Sequence, residues 1–150
     1  MEIVDELDVK PRPIYLRKQK EQFKAFQERF FGESITRLVE LLHDGAKKAG
    51  WWNDVETGAP LERNKGELIA LMHSELSEAL EGIRKDAQDD HLPHRKSEEV
   101  ELADCIIRIL DYCGAHNLDI GGAVMEKFSY NMTRQDHKPG NRAKDGGKKF

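Results

Sequence analysis

Four acidic side chains near the middle of the chain have the spacing of a metal site. Glu75 and Glu78 are three residues apart, and Glu101 and Asp104 repeat that spacing. Residues three apart lie on the same face of an α-helix, one turn from each other. Four carboxylates that converge near a buried seam cannot all stay ionised unless cations offset their charge. Ligation by carboxylate oxygens suits a hard ion, so this pattern points to Mg²⁺ or Mn²⁺.

The segments that carry these pairs both have the periodicity of amphipathic helices. Apolar residues recur every three or four positions over 68–83 and again over 100–113. That pattern predicts one helix over about 64–85 and a second over about 96–115. On each helix the acidic pair lies beside the apolar stripe, so antiparallel packing of the two helices would bring all four carboxylates together.

An exposed acidic surface is the alternative explanation of the same spacing. The chain has 28 acidic residues in 150, so a Glu-x-x-Glu pair on a solvated helix face is common. The neighbours of Glu75 favour the metal site, because Leu71, Met72 and Leu76 are poor surroundings for a solvated carboxylate. The spacing by itself leaves both interpretations open.

Three sequence blocks, taken in order, resemble the MazG-like members of the all-α nucleoside triphosphate pyrophosphatase superfamily. The blocks are Gly-Trp-Trp-Asn-Asp at 50–54, the acidic motif Glu-x-x-Glu…Glu-x-x-Asp within 75–104, and Lys-Phe-Ser-Tyr-Asn-Met-Thr-Arg at 127–134, before a Gly-Gly-Lys-Lys tail. The resemblance extends from about Ser34 to Phe150. It departs from the family at Val100, since the second motif often begins with a Glu-Glu doublet; Glu98, one turn earlier, could act as an outer ligand.

The resemblance implies an activity and a role for each candidate residue. The implied reaction is Mg²⁺-dependent hydrolysis of a (deoxy)nucleoside triphosphate to the monophosphate and pyrophosphate, a housekeeping step of the nucleotide pool. The implied metal ligands are Glu75, Glu78, Glu101 and Asp104, with Glu78 also as the catalytic base that takes a proton from water. The implied substrate-binding residues are His43, Trp51 and Trp52 for the base, and Lys127, Asn131 and Arg134 for the phosphates. Family members are usually dimers or tetramers whose pockets a neighbouring chain completes, so a homo-oligomer is expected.

Stacking and charge are consistent with these substrate contacts. A nucleobase that stacks on an indole ring gains about 1–3 kcal/mol, although two tryptophans could instead seal the end of a helical bundle. Lys127 and Asn131 are four residues apart, with Arg134 about one turn further on, so the three follow one helix face. A cation, an amide and a guanidinium in line suit a polyphosphate that a metal already bridges. A solvated polar face would have the same pattern.

The N-terminal third of the chain predicts an arm and two helices. Pro11 and Pro13 rule out a helix through the first residues, so 1–15 is expected to be an extended or mobile arm. Leu16, Phe23, Phe26 and Phe30 then form an apolar stripe on a helix that is expected to end at Gly32. This stripe suits packing on a partner subunit or on this same chain. A further helix is predicted from Ser34, a possible N-cap, to about Ala49.

The C-terminal part predicts one more helix and a tail. The helix extends over about 119–136 and is expected to be capped by Asp119. The basic, glycine-rich tail, 138–150, either is disordered or closes over the triphosphate. The prediction for the whole chain is one all-α domain over 16–137. Its four or five helices form a bundle in which two antiparallel motif helices make the acidic metal site.

Composition argues against several classes of protein. With a net charge of −4, the chain lacks the basic balance of a general nucleic-acid binder. It has no apolar run near the roughly 20 residues of a membrane span, and its acidic N-terminus lacks the layout of a signal peptide. Cys105 and Cys113 lie on one predicted helix about 12 Å apart, too far for a disulfide. Free thiols are typical of a reducing compartment, so the expected location is the cytoplasm.

Two other functions stay open at this point. The first is a non-catalytic helical interaction module, in which the acidic rows are solvated and the aromatic N-terminal helix binds a protein. The second is a related all-α phosphohydrolase that acts on a phosphoribosyl intermediate such as phosphoribosyl-ATP. The tryptophan pair and the basic tail argue mildly against the second function.

Overall fold

The computed structural model describes residues 13–148, apart from the side chains of residues 13–16, 19 and 20. Five α-helices follow one another: α1 (Pro13–Lys48), α2 (Lys65–Lys85), α3 (Ser97–Ala115), α4 (Ile120–Thr133) and α5 (Pro139–Arg142), with one turn of 3-10 helix at Gln135–His137. Within this described range the only β-type pairings are two single bridges. The prediction of an all-α fold with four or five helices is therefore confirmed.

The first helix differs from the two shorter helices that the sequence predicted. α1 runs without a break from Pro13 to Lys48 and passes through Gly32, where a stop was expected. Because α1 starts at Pro13, residues 13–15 are helical, although they were predicted to belong to the arm. The rest of that arm lies outside the described residues. Proline is compatible with a first helical position, because its missing N–H would have no partner there. Ser34 is not an N-cap; its hydroxyl donates to the carbonyl oxygen of Phe30 at 2.8 Å.

Helix α4 crosses α1 at Gly32. A Cβ atom built on Gly121 of α4 would lie 2.5 Å from the carbonyl oxygen of Gly32. The two helices therefore approach each other closely at Gly121, where only a residue without a side chain fits, whereas a Cβ atom on Gly32 would meet nothing closer than 3.8 Å. A glycine inside a helix costs about 1 kcal/mol relative to alanine, and tertiary packing readily outweighs that preference.

The motif helices α2 and α3 form the predicted antiparallel pair. Asn64 caps α2, because its side-chain oxygen accepts hydrogen bonds from two backbone N–H groups of the first turn. The two helices face each other from Met72, whose carbonyl oxygen meets the Cys105 thiol, to Gly82, which lies against Ser97. Both helices begin within one residue of the predicted start and end at the predicted residue.

The hydrophobic core is small for a chain of this length. α3 packs on both α1 and α2, and α4 packs on α1. The buried apolar residues of the described range are Val39, Leu110 and Cys113 in one cluster, together with Met72, Ala79 and Cys105. Large apolar side chains remain exposed on all four long helices, among them Phe26, Leu80, Ile106 and Phe128. The bundle therefore leaves much apolar surface without a partner among the described residues.

Several smaller expectations can be compared with the structure. Both cysteines are buried and free, as predicted. Asp119 caps α4 by accepting from the N–H of Gly122 at 2.8 Å, and α4 ends at Thr133, a little earlier than expected. No described helix combines the length and the apolar character needed to cross a membrane. The described part of the tail contains α5, which Asn141 ties to the carbonyl oxygen of Gln135 at 2.8 Å.

Candidate functional site

Three of the four predicted metal ligands converge between α2 and α3. Glu75, Glu78 and Glu101 each place one carboxylate oxygen within 4.8 Å of the other two. Glu75 is buried, with 5% of its surface exposed, whereas Glu101 is half-buried and Glu78 is exposed. The group is therefore closed on the side of Glu75 and open to solvent on the side of Glu78. Three carboxylates at this separation could hold a metal ion, and their oxygens suit a hard divalent cation.

Asp104 lies one turn further along α3, outside this group of three. Burial raises the pKa of its carboxyl above the usual range, and the charge of Glu75 raises it further, against a lowering by Arg108. Asp104 also lines the neighbouring cavity. Its electrostatic coupling to Glu75 connects it to the acidic group, but its role as a metal ligand stays a prediction.

The charges of the acidic group act most clearly on Glu101. Burial raises the pKa of this carboxyl, and the charges of Glu78, Glu75, Asp104 and Asp89 raise it further. Proximity of like charges disfavours ionisation, because each carboxylate raises the cost of the next. A divalent cation at this position would remove that cost.

Two charged residues near the group were not singled out by the sequence. Arg108 of α3 donates from Nε to Oε1 of the buried Glu75 at 2.6 Å. Asp89, in the connection before α3, is also buried and accepts hydrogen bonds from the backbone N–H groups of His91 and Leu92 at 3.0 and 2.5 Å. One signal pointed to Arg108: it lies four residues after Asp104, on the same helix face.

A cavity of about 470 Å³ opens beside Asp104. Its walls come from the C-terminal part of α1, the tryptophan loop, α2 and α3, and they are mostly apolar. The polar or aromatic lining residues are Trp51, Trp52, Arg63, Asp104, Arg108, Asp111 and Tyr112. Its volume lies within the range of small-molecule pockets, and an apolar wall with a few polar groups is their usual composition.

The two tryptophans have different surroundings. Trp52 is half-buried, and its Nε1–H donates to both carboxylate oxygens of Asp111, at 2.9 and 3.0 Å. His43 also reaches Asp111, with Nδ1 lying 2.7 Å from Oδ1. Trp51, by contrast, is 64% exposed at the rim of the cavity. Asp111 therefore fixes the Trp52 ring, while Trp51 presents its face to solvent and to any ligand.

His116 completes this aromatic wall at the end of α3. Its ring packs edge-on against Tyr112, with centroids 4.4 Å apart, and against Trp52 at 6.2 Å. Burial lowers the pKa of His116, and the charges of Lys65 and His43 lower it further. The ring is therefore neutral at neutral pH and acts as part of the aromatic packing around Trp52.

No protein-family model, curated protein or solved structure matches this chain. The functional interpretation therefore depends on the residues of the site and on their geometry. That geometry combines an acidic group suited to a divalent cation with an adjoining, mainly apolar cavity bordered by two indole rings.

Of the three residues expected to bind phosphates, Lys127 and Asn131 lie on α4, which packs on α1, and Arg134 is the residue that follows its last turn. Lys127 places its ammonium 5.0 Å from the ring centroid of Tyr130. Arg134 donates to both carboxylate oxygens of Asp136, at 3.0 and 2.6 Å. Asn131 has a buried side-chain oxygen for which the described residues supply no hydrogen-bond partner. The cavity beside the carboxylates is lined from other elements, so the fold of one chain does not bring these three residues to it.

Proposed function

We propose that this protein is a nucleoside triphosphate pyrophosphohydrolase, which converts a (deoxy)nucleoside triphosphate to the monophosphate and pyrophosphate. The observation that carries the proposal is the carboxylate group of Glu75, Glu78 and Glu101 beside a cavity with two tryptophans. The order of motifs, which resembles that of MazG-like enzymes, supports the same activity. We also propose the cytoplasm as its location, since both thiols are free.

The acidic site itself argues for a metal-dependent reaction. A triphosphate brings several negative charges to a place where burial and like charges already oppose ionisation of Glu101. Such a ligand binds there only if a cation lies between the two. The donor set fits Mg²⁺ or Mn²⁺, which would polarise the phosphoryl oxygens and stabilise the leaving pyrophosphate when bound. Glu75, Glu78 and Glu101 would hold it, with Asp104 as a further ligand.

The proposed general base is Glu78. It is the exposed member of the group, so solvent water reaches it directly. Glu75 is less suited, because it is buried and its Oε1 already accepts a hydrogen bond from Arg108 at 2.6 Å. A carboxylate that is not fully engaged by a cation can take the proton from an attacking water.

The proposed position of the nucleobase is the tryptophan end of the cavity. Trp52 is held in one orientation by Asp111, and an immobilised ring loses little entropy when a ligand stacks on it. Trp51 also lines the cavity and is 64% exposed. His43, which contacts Asp111 at 2.7 Å, then contributes by positioning Trp52.

We further propose that the active form is a homo-oligomer. The chain has an accessible surface of 12648 Å², whereas a folded monomer of its mass exposes about 7,800 Å². Part of this surface is contributed by large apolar side chains of the described helices, among them Phe26, Leu80, Ile106 and Phe128. Exposed apolar surface of this kind suits an interface with another subunit. In such an assembly, Lys127, Asn131 and Arg134 of a neighbouring copy would reach the phosphates.

The decisive experiment is a panel of nucleoside triphosphates incubated with the protein and Mg²⁺, with pyrophosphate and monophosphate measured together. We expect equal amounts of both products, no accumulating diphosphate, and no reaction with EDTA. Glu78→Gln should abolish turnover while the helical circular dichroism spectrum is retained. Stepwise release of orthophosphate would indicate a different phosphatase chemistry.

Inertness toward every triphosphate would favour a second function, a helical interaction module. The exposed aromatic side chains of α1 are the observation that supports this alternative. Phe23, Phe26, Phe30 and Phe31 are each about half exposed or more, and such a row suits a protein partner.

A further inference from the structure

Arg108 lies between the acidic group and the cavity and contacts both. Its Nε donates to Oε1 of Glu75 at 2.6 Å, and Arg108 also lines the cavity together with Asp104. The side chain of Arg108 is 43% exposed, whereas that of Glu75 is 7% exposed. The terminal nitrogens Nη1 and Nη2 make no hydrogen bond to any residue of the described range. Arg108 therefore has donors available for a ligand in the cavity.

The pairing with Glu75 has an electrostatic reason. A buried carboxylate requires a nearby cation, because desolvation disfavours its charge. Among the described residues, Arg108 supplies that cation for Glu75. The same carboxylate is one of the three that could hold a metal ion. A divalent ion at this position would neutralise Glu75 itself and would repel the guanidinium beside it.

We propose that Arg108 exchanges partners when the site is loaded. It pairs with Glu75 in the absence of metal, and it turns to a phosphate oxygen of the triphosphate once a divalent ion has taken over that carboxylate. This inference rests on the proposed function and adds a phosphate-binding residue to it. A planar guanidinium suits this role, since it binds phosphate oxygens through two parallel N–H groups.

The exchange also fixes the direction of the nucleotide in the cavity. Arg108 and Asp104 lie at the end next to the carboxylates, and Trp51 and Trp52 line another part of the wall. The phosphates then lie at the carboxylate end and the base between the indole rings. In this arrangement the chain that binds the metal also supplies a cation, Arg108, to the phosphates. The basic residues at α4 of that chain do not reach them.

A purely structural role for Arg108 makes a different prediction. If the residue only tied α2 to α3, its loss would weaken both ligands together and lower the stability of the fold. In the exchange, removing the resident cation leaves the site more negative. Metal binding should then become tighter and triphosphate binding weaker, so the two effects have opposite signs.

The experiment measures these two affinities separately with Arg108→Gln. Binding of Mn²⁺ alone, followed by the electron paramagnetic resonance signal of free Mn²⁺, should become about 3- to 10-fold tighter. Binding of an α,β-methylene nucleoside triphosphate at saturating Mn²⁺ should become about 10- to 100-fold weaker. Arg108→Lys keeps the charge but loses the planar fork, so Mn²⁺ affinity should match the parent and triphosphate affinity should fall several-fold.

Arg17→Gln is the matched control. Arg17 also forms an ion pair through its Nε, which lies 2.9 Å from Oε1 of Glu21. This pair is at the remote end of α1. It should leave both affinities unchanged. The proposal is overturned if Arg108→Gln leaves Mn²⁺ binding unchanged or weaker, or leaves the analogue's affinity unchanged. If that variant does not fold, Arg108→Lys decides: unchanged binding of the analogue overturns the proposal, and a selective loss supports it.

The same measurements separate this inference from the proposed function. A parent protein that binds no Mn²⁺ or no triphosphate analogue overturns both. A parent that binds both but hydrolyses no triphosphate overturns only the enzymatic activity, and the opposite shifts in Arg108→Gln then still decide the role of Arg108.

Discussion

At the scale of single residues, the three carboxylates of the acidic group repel one another, and the described residues offset this repulsion only in part. Glu75 is neutralised by Arg108, but within the described residues Glu78 and Glu101 have no cationic partner. The raised pKa of Glu101 expresses this imbalance, because burial and four neighbouring charges all favour its protonated form. Protonation and metal binding therefore relieve the same strain and should both stabilise the fold.

We predict that Glu101→Gln stabilises the metal-free protein, and that the gain grows with pH. A carboxyl whose pKa is raised on folding binds its proton more tightly in the folded state. Its contribution to the free energy of unfolding therefore falls as pH rises from the ordinary glutamate value of 4.5 through the raised pKa. The difference in Tm between variant and parent should thus be small near pH 4 and largest near pH 7, in thermal melts with EDTA.

Asp86→Asn is the control, because hydrogen bonding and attraction to Lys96 lower the pKa of Asp86. This variant should be less stable than the parent near pH 7, and the loss should fade as the pH falls through the carboxyl range. Adding Mg²⁺ at pH 7 should raise the Tm of the parent more than that of Glu101→Gln. Equal pH profiles for Glu101→Gln and the parent would show that the group carries no repulsion.

Trp51 is the residue whose replacement should change base preference. Its ring is 64% exposed at the cavity rim, so Trp51→Ala should leave the fold intact and remove about 1–3 kcal/mol of stacking that differs among bases. We expect a changed ranking of kcat/KM for four nucleoside triphosphates. Val55→Ala, at an 84% exposed position of the same loop, should keep the parent's ranking. An equal loss for all four substrates with Trp51→Ala would place the base elsewhere.

At the scale of helices, the sequence predicts what is local. The bounds of α2 and α3 follow from apolar periodicity and from Asn64, whose capping acts on the next few residues only. The continuity of α1 could not be predicted, since it depends on packing against α4, which crosses it near Gly32 from far along the chain. The same limit applies to the site. Glu75 and Glu101 were evident from their spacing, whereas the Arg108–Glu75 pair joins residues 33 positions apart on two helices.

The crossing of α1 and α4 gives a prediction about stability. Gly121→Ala adds a Cβ atom 2.5 Å from the carbonyl oxygen of Gly32, so the helices must separate, at a cost of about 1–3 kcal/mol. Gly45→Ala, on the same α1, is the matched control because nothing lies within 4 Å of its Cβ position. It should stabilise the protein by up to about 1 kcal/mol. Urea unfolding gives the free energy of unfolding of both variants. If Gly121→Ala is as stable as the parent, the two helices are further apart at this crossing than the structure indicates.

At the scale of the whole molecule, large apolar side chains stay exposed on every long helix of the described range. Exposed apolar residues occur on the motif helices, at Leu80, Ile83 and Ile106, as well as along the aromatic row of α1. The sequence predicted the row on α1 from periodicity, but it could not show that the motif helices also keep apolar faces uncovered. We propose a second copy of the chain as the occupant of this surface, because α4 of one copy does not reach its own cavity.

Mixed oligomers of two inactive variants test whether the active site is shared between chains. Glu78→Gln removes the proposed base on α2, and Lys127→Ala removes a proposed phosphate contact on α4 that packs away from the cavity of its own chain. In a dimer with shared sites, random assembly of equal amounts gives mixed dimers with one intact site each, or about a quarter of all sites. We therefore expect the unselected co-expressed mixture to regain about that fraction of parental kcat, and mixed dimers isolated through a different tag on each variant to regain about half, while each variant alone stays inactive. Full activity of Lys127→Ala alone would remove this residue from the site, and inactivity of the mixed dimers would mean that every site is built from a single chain.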